Sequence, residues 1–563
     1  MSAAALPASP RLGAVARWMP RLDSALVALA LAMAALVVVV PPLGEFPIND
    51  DWLYARTVQG LIERGQLEVP AWGASSLVLQ AYWGGLFARL FGFSHGALRA
   101  STVLLGAAGV LGCYALLREL LDARRALLGA LLLLVNPLYV TLSYSFMTDV
   151  PFLSLTLWAL FCYVRALRGQ RIRLGWLVAG SVFAGGAFLV RQLGAALPLT
   201  ALGSLLLIGG WRAALRPRRL VAVLAPFVPA LLLAAYFDGQ RGAVREDSLA
   251  WTVASWTSHG PGLVGVVLDR FAATFCTLGL FSLPLTLGAV AGRPAPGPGQ
   301  RRLAGALLVA LVVGLLLHSV TFGQPPLFPY TKNVLSPRGF LGLDQYTATL
   351  PESIVLPEGV LVALTAVAIL GGALLLVMVA ALPSRTVRTP ATVPLLFGLF
   401  ALGMVLLYRQ FFDRYLLGLL PIALLVTVAA LRDVRWSRAL ALAGMALLAV
   451  WSIWWEREFL ERRSALWQAG RLLVEQGVPP EEINGGFEWN GWYRGQAFIA
   501  GGVQQARVDG GGRQLERYVM ERLHMRKARY SLEYAPPEEA ASGNVLAIVP
   551  YGRGHQVLAV QHP

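Results

Sequence analysis

The sequence of 563 residues is 56% hydrophobic and only 14% charged, with a mean hydropathy of +0.61. Because soluble domains carry roughly 25% charged residues, this composition excludes an ordinary soluble protein. A net charge of +16 could indicate a nucleic-acid partner. Here the arginines stand in short clusters between long apolar runs, which indicates membrane topology and no nucleic-acid binding.

Apolar windows that could cross a bilayer recur along the chain, since about 20 such residues span the hydrocarbon. The first window has no small-residue cleavage site after it and is interpreted as a retained span. We predict about thirteen transmembrane helices, at 24–43, 98–117, 126–142, 150–166, 174–190, 193–210, 220–236, 271–291, 303–322, 358–382, 393–408, 416–431 and 438–455.

The arginines predict the orientation of these spans. Cytoplasmic loops are enriched in Lys and Arg, and every second connection here is the arginine-rich one, for example at 118–125, 165–173 and 212–219. This places the N-terminus in the cytoplasm. Because the number of spans is odd, the residues after 455 are predicted to lie outside.

The chain is thus predicted to have two parts. Residues 1–455 form a polytopic transmembrane domain, and residues 456–563 form a small extracytoplasmic α/β domain. In the second part we predict a helix over 456–476, ended by Gly477. After this helix, β-like runs lie at 483–489, 527–534, 544–550 and 556–560. In the transmembrane domain, the predicted outer loops are 44–97, 143–149, 237–270 and 323–357.

The first outer loop contains two adjacent acidic residues, Asp50 and Asp51, in FPINDDWLYARTVQGLIERG. Asn49 or Asp50 can cap a helix that runs to Arg64 and ends at Gly65. A carboxylate at the membrane surface can instead take a proton from a hydroxyl group. Spacing alone leaves both roles open.

The very short second outer loop contains Asp149, in SYSFMTDVP. Its position just before Val150 and Pro151 is typical of a helix N-terminus. An ionisable group held at the bilayer edge also indicates a functional site. The residues leave these two interpretations equally open.

Three cations lie on the predicted outer side, where the positive-inside rule does not explain them. They are Arg191, Lys332 and Arg414. A guanidinium binds phosphate through two parallel hydrogen bonds, so these residues could hold an anion near the membrane surface. Arg191 could alternatively extend to lipid headgroups, and Arg414 could simply pair with Asp413.

Other chemistry is not evident in the sequence. The three cysteines lie in apolar segments, and no two histidines or cysteines have the spacing of metal ligands. A phosphate-binding GxxxxGK[ST] loop and a GxSxG nucleophile motif are both absent. The segment GGFEWNGWY at 485–493 matches no catalytic pattern.

Taken in order, the motifs resemble those of class C glycosyltransferases. The similarity is to the bacterial branch related to protein O-mannosyltransferases and lipid A aminoarabinose transferases. An acidic pair lies a few residues before Tyr54, Thr148-Asp149-Val150-Pro151 opens the fourth span, and Arg191 follows the fifth. Further along, the run that begins Arg414-Tyr-Leu-Leu is followed by a Leu-Pro pair that ends at Pro421. The resemblance covers residues 24–455, and it departs from the family where Asp51 replaces the more usual Glu.

The resemblance implies an inverting transfer of a hexose or pentose from a polyprenyl-phosphate donor to an acceptor hydroxyl. The reaction would occur at the outer face of a bacterial cytoplasmic (inner) membrane. The acceptor could be lipid A, a cell-wall glycan, another glycolipid or a protein. Some relatives use a divalent metal, but the sequence offers no convincing ligand set.

Roles for individual residues follow from the same resemblance. Asp50 would be the general base, and Asp51 and Asp149 would assist it. The residues that would bind substrate, by contact or by charge on the lipid phosphate, are Tyr54, Arg191, Lys332 and Arg414.

Two other classes of function stay open from the residues. A transporter or lipid flippase usually carries ionisable residues or broken helices near the bilayer midplane. An O-antigen-type polymerase or ligase would have its main chemistry in a large later loop. The charges here favour chemistry at the membrane surface.

Overall fold

The structure, a computed structural model, describes most of the chain. Lys332 and most of the predicted outer loop 323–357 lie outside the described residues. The described residues are 24–73, 75–240, 248–290, 297–323, 325–329, 333–336, 339–340, 356–408, 410–430, 437–509, 512–523, 528–535, 544–552 and 554–562.

Helices dominate this part of the chain, as the long apolar windows predict. They are α1 (Ser24–Val39), α2 (Asp51–Arg64), α3 (Val78–Phe91), α4 (His95–Leu120), α5 (Ala123–Leu134), α6 (Pro137–Ser143), α7 (Asp149–Leu167), α8 (Leu174–Val190), α9 (Ala196–Gly209), α10 (Trp211–Ala214), α11 (Pro217–Leu224), α12 (Val228–Gln240), α13 (Ser248–His259), α14 (Leu263–Val290), α15 (Pro298–Phe322), α16 (Glu358–Ala380), α17 (Thr392–Leu407), α18 (Leu420–Ala430), α19 (Arg438–Glu475), α20 (Gly486–Asp509) and α21 (Gly512–Leu523).

Each predicted span coincides with a helix or with consecutive helices. Within the described ranges, eight helical segments are long and apolar enough to cross a membrane, and the bent pair α5–α6 would make a ninth. Four shorter apolar helices, α1, α8, α17 and α18, lie in other predicted windows. The multi-pass helical class is therefore confirmed, whereas the number thirteen stays a prediction.

The bend between α5 and α6 measures 62° and has a local cause. Pro137 is the first residue of α6, and the side chain of Asn136 accepts hydrogen bonds from the backbone N–H groups of Leu138 and Tyr139, at 3.0 and 3.3 Å. Proline is favoured at this position because it needs no intrahelical donor. The new helix carries the chain into the buried connection 144–148, directly before α7.

The first predicted outer loop is largely helical. It contains α2, which ends at Gly65 as predicted, with φ +72° and a hydrogen bond from its N–H to the carbonyl of Leu61. It also contains α3, which the sequence did not predict. α3 packs against α2, α4 and α8, and the first turns of α2 are buried.

The C-terminal part departs from the prediction in two places. The predicted helix 456–476 is not a separate helix. It is the second half of α19, which begins with the last predicted span and runs unbroken for 38 residues in all, about 57 Å. The predicted β run 483–489 is a strand only over Ile483–Asn484 and is helical from Gly486. Aromatic residues there favour a strand by propensity, but within α20 Phe487 packs on Trp52 and Trp489 packs on Trp467.

Two short strands, β1 (Leu335–Ser336) and β2 (Gly339–Phe340), pair antiparallel. A four-stranded sheet follows later in the chain. Its strands are β3 (Ile483–Asn484), β4 (Tyr530–Ala535), β5 (Asn544–Tyr551) and β6 (His555–Gln561), in the order β3-β4-β6-β5. β3 is parallel to β4, with Ile483 opposite Tyr530, and the other pairs are antiparallel. The sheet packs against the end of α19.

Candidate functional site

Five of the seven predicted site residues meet in one place. Asp50 immediately precedes α2 and Tyr54 lies in its first turn, whereas Asp149 is the first residue of α7. Arg191 follows α8, and Arg414 lies in a 3-10 turn, Asp413–Gly418, before α18. The ends of four chain segments therefore surround the site.

Asp50 is held by an arginine and not by the helix that it precedes. Its Oδ2 accepts from both Nη1 and Nη2 of Arg414, each at 3.3 Å. Asp50 occupies the N-cap position of α2, but its side chain makes no capping hydrogen bond. The carboxylate is 25% exposed, against 11% for its partner, so it is the accessible member of the pair.

Asp149 forms a second ion pair, with Arg191. Its Oδ1 accepts from Nη1 of Arg191, and its Oδ2 is buried with no hydrogen-bond partner among the described residues. Burial lowers the pKa of Arg191, but Asp149, Tyr415 and Tyr54 together outweigh burial and raise this pKa. The arginine therefore stays charged.

The two guanidinium groups share one aromatic ring. Arg191 lies 5.3 Å from the centre of the Tyr415 ring, and Arg414 lies 5.6 Å from it. Burial lowers the pKa of Arg414, whereas Tyr415 and Asp50 raise it, with a net rise. Tyr415 is a site residue that the sequence reasoning missed, although it directly follows Arg414 in the quoted motif.

Tyr54 completes the cluster. Burial, and then the Asp50 carboxylate, raise the pKa of the phenol to about 12, so it is protonated at neutral pH. Its hydroxyl is hydrogen-bonded to Ser75, whose Oγ lies 3.4 Å from Oγ1 of Thr148. This chain of hydroxyl groups connects the first and second predicted outer loops.

Asp51 is used differently from Asp50. Its Oδ1 accepts from the backbone N–H of Ile48, and its Oδ2 accepts from the backbone N–H of Phe146 at 3.0 Å. Both oxygens are thus occupied by backbone groups. This arrangement fastens the first predicted outer loop to the second, so it supports a positioning role for Asp51.

The segment before Asp50 is held by a buried arginine that the sequence reasoning missed. Arg99, in α4, donates to the carbonyl groups of Leu43 at 2.6 Å, Gly44 at 3.3 Å and Phe46 at 3.0 Å. The sequence did contain a signal for this role, because Arg99 is an isolated arginine at the predicted outer end of the span 98–117.

Asp413 joins a further segment to the site. It accepts backbone N–H groups of Val334 and Leu335, the closest at 2.6 Å. The sequence suggested that Asp413 pairs with Arg414, but its oxygens hold this segment instead. Leu335 also lines a small apolar cavity with Trp451 and Trp455, of about 10 Å³, which has room for about one water molecule.

The carboxylates of the site do not fit a metal ion. Within the described ranges, no three His, Cys, Asp or Glu side chains are grouped as metal ligands. The Asp50 and Asp149 carboxylates each face an arginine, and Asp51 faces two backbone N–H groups. The positive charge beside the acids is thus supplied by side chains.

Two buried carboxyl groups near the site should make stability depend on pH. Burial raises the pKa of Asp51 from 3.8 to about 8 and that of Asp413 to about 7. Between pH 3.8, where these groups titrate in the unfolded chain, and the raised pKa values, the folded protein binds more protons than the unfolded chain. Its stability therefore falls as the pH rises through this interval. We expect a lower thermal unfolding temperature in detergent at about pH 8.5 than at about pH 5.5.

Two variants test the source of this pH dependence. Asp51→Asn should weaken it, because the group that titrates is gone. Glu63→Gln, at an exposed position of α2, should leave it unchanged. An unfolding temperature of the wild-type protein that rises over the same pH interval would contradict the prediction.

Part of the chain matches a known protein family. The model for the family described as dolichyl-phosphate-mannose-protein mannosyltransferase matches residues 78–236. The matched segment contains Asp149 and Arg191, and it confirms the predicted resemblance to O-mannosyltransferases over these residues. A search of curated proteins finds no match.

Three solved structures are similar to this chain at low sequence identity. ArnT from Cupriavidus metallidurans bound to undecaprenyl phosphate is 15% identical over 96% of this chain and 98% of its own, with a TM-score of 0.38. The oligosaccharyltransferase AglB from Archaeoglobus fulgidus is 14% identical over 91% of this chain and 69% of its own, with a TM-score of 0.43. A chain of the Saccharomyces cerevisiae Pmt1-Pmt2 complex is 16% identical over 42% of this chain and 37% of its own, with a TM-score of 0.31.

Proposed function

We propose that this protein is an inverting glycosyltransferase that moves a sugar from a polyprenyl phosphate to an acceptor hydroxyl. The observation that carries the proposal is the presence of two ion pairs, Asp50 with Arg414 and Asp149 with Arg191, beside the ring of Tyr415. The site thus has an accessible carboxylate beside two cations, which are the groups that this transfer needs.

In the proposed reaction, Asp50 is the general base. Its carboxylate takes the proton of the acceptor hydroxyl while that oxygen bonds to the anomeric carbon. The bond from this carbon to the phosphate oxygen breaks on the opposite side, and its electron pair leaves with the lipid phosphate. Attack from one side and departure from the other inverts the anomeric configuration.

Arg414 and Arg191 are the proposed phosphate ligands. Negative charge grows on the leaving phosphate, and fixed cations stabilise it more in the transition state than in the substrate. Each guanidinium is already oriented by a carboxylate and by the ring of Tyr415. Lys332 stays a predicted third cation, because it lies outside the described residues.

Asp149 and Tyr54 are proposed to position substrate. The Oδ2 of Asp149 is buried and lacks a partner among the described residues, so it can accept a sugar or acceptor hydroxyl. Tyr54 keeps its proton and stays beside Asp50.

A transporter is less well supported. Asp269 and His318 form an ionisable pair at 2.8 Å between two candidate spans, α14 and α15. Asp269 is the seventh residue of α14, and His318 lies four residues before the end of α15. The pair thus lies near helix ends and not at the midplane, where transporters bind their substrates.

The proposal is tested with a lipid that can be supplied in defined form. Undecaprenyl phosphate, the lipid bound in the ArnT structure, is added to the purified protein, and binding is measured by native mass spectrometry. Undecaprenyl-phosphate sugars are then supplied with lipid A, a wall glycan or a peptide as acceptor. We expect binding and transfer with inversion; failure to bind the lipid or to consume any such donor would contradict the proposal.

A further inference from the structure

The segment GGFEWNGWY, which matched no catalytic pattern, packs directly against the first predicted outer loop. The Oε1 of Glu488 accepts the backbone N–H of Asn49 at 3.2 Å. Its Oε2 lies 3.4 Å from Nη1 of Arg463, and both side chains are almost fully buried, at 2% and 3% exposed. A buried ion pair of the C-terminal part therefore holds the residue before Asp50.

Two glycines of α20 receive the ring of Trp52. A Cβ atom added at Gly491 would lie 2.5 Å from ring atoms, and one added at Gly495 would lie 2.3 Å from them. Real Cβ atoms do not approach so closely, so both positions require glycine for this contact. Trp52 follows Asp50 by two residues and is fully buried.

A third contact lies one helical turn further along α2. Arg56 donates from Nη2 and Nε to the carbonyl of Trp492, at 2.7 and 3.2 Å. Its guanidinium also lies 3.8 Å from the centre of the Trp492 ring. Because Asn49, Trp52 and Arg56 are all fixed by one short stretch of α20, the start of α2 cannot shift independently of it.

The backbone at Asn49 shows why such support is needed. Asn49 has φ +55°, a left-handed conformation that is uncommon for residues other than glycine, although Asn tolerates it better than most. Strain of this kind persists only where surrounding contacts fix the backbone. The N–H of this residue is the one that Glu488 accepts, so Glu488 holds the turn that directs Asp50 to Arg414.

We propose that Glu488 positions Asp50, and that α20 thereby completes the active site on the transmembrane part. This inference rests on the proposed role of Asp50 as the base. It assigns a function to the C-terminal part, which would act on the chemical step and not on lipid binding. Glu488 touches no substrate in this proposal and acts through the backbone of Asn49.

The test compares Glu488→Ala with Glu488→Gln. We expect Glu488→Ala to lower kcat about 10- to 100-fold, because small displacements of a catalytic group have effects of this size. The KM for the donor and undecaprenyl phosphate binding should stay within about twofold. Glu488→Gln keeps an oxygen for Asn49 and should restore most of kcat. Gln496→Ala, at an exposed position of α20, is the matched control.

A double-mutant cycle separates positioning from general damage. If Glu488 acts through Asp50, then adding Glu488→Ala to Asp50→Asn should cause no further loss of activity. A full additional loss, or an equal loss of lipid binding and kcat, would overturn the inference. If Glu488→Ala cannot be purified, Gly495→Ala should show the same selective loss of kcat, and unchanged kcat in that variant would overturn it.

The two proposals fail in different ways. If the wild-type protein neither binds undecaprenyl phosphate nor transfers sugar from it, the proposed function fails. If the wild-type protein is active and Glu488→Ala is as active, the proposed function stands and the positioning role of Glu488 fails.

Discussion

Replacing Asp50 by Asn is expected to lower kcat for sugar transfer by about 10²- to 10⁴-fold, the range that general bases contribute. The amide keeps the size of the side chain but cannot take the acceptor proton. Asp50 is the accessible member of its ion pair, so it is the carboxylate that an acceptor can reach. The loss is measured as initial rates with an undecaprenyl-phosphate sugar at saturating donor.

Donor binding should separate this effect from unfolding. Asp50→Asn should bind undecaprenyl phosphate as well as the wild-type protein or better, because it leaves Arg414 without a competing carboxylate. Glu63→Gln, which also removes a charge from the first predicted outer loop, should be fully active. If Asp50→Asn transferred sugar at the wild-type rate, the general-base role would have to be abandoned.

The second large effect is expected at Arg414. Replacement by Gln should lower kcat/KM by about 10²- to 10³-fold, as removal of one electrostatic donor does in other enzymes. It should also weaken the binding of undecaprenyl phosphate, because the same guanidinium is the proposed ligand of the leaving phosphate. Lys at this position keeps the charge but loses the planar fork, so Arg414→Lys should retain an intermediate activity.

The choice of Arg414 over Arg191 follows from burial. Arg191 pairs with Asp149, which is only 2% exposed, and removing one partner of a buried pair typically costs about 3–5 kcal/mol of stability. Asp50, at 25% exposed, can be hydrated when Arg414 is replaced. Arg517→Gln, at an exposed position of α21, is the control. Unchanged lipid affinity and kcat in Arg414→Gln would contradict the phosphate-binding role.

Much of the transmembrane architecture could be predicted from local sequence. A helix in a bilayer satisfies its own backbone groups, so apolar windows alone locate the helices, and each predicted window indeed holds one. The end of α2 at Gly65 could also be predicted from local sequence, because a helix that ends in a left-handed residue favours glycine there. The family could be recognised for a related reason, since its short motifs keep their order along the chain.

The roles of adjacent acids required the tertiary structure. Asp50 and Asp51 are neighbours in the sequence, but one faces Arg414, 364 residues away, and the other faces the backbone of Phe146. Which of them is accessible depends on how α2 is oriented against α20 and against the turn that contains Arg414. No local pattern carries that information.

The C-terminal part shows the same division between local and tertiary information. Its three later strands lie close to where alternation predicts them, because that pattern is local. The run at 483–489 became mostly helical, and Phe487 packs on Trp52 of the first predicted outer loop, as do Gly491 and Gly495 further along α20. The sequence by itself thus determined the helices and the order of the site residues. Only the tertiary structure decided which carboxylate is paired, which is buried and which is left accessible, because these depend on contacts between distant segments.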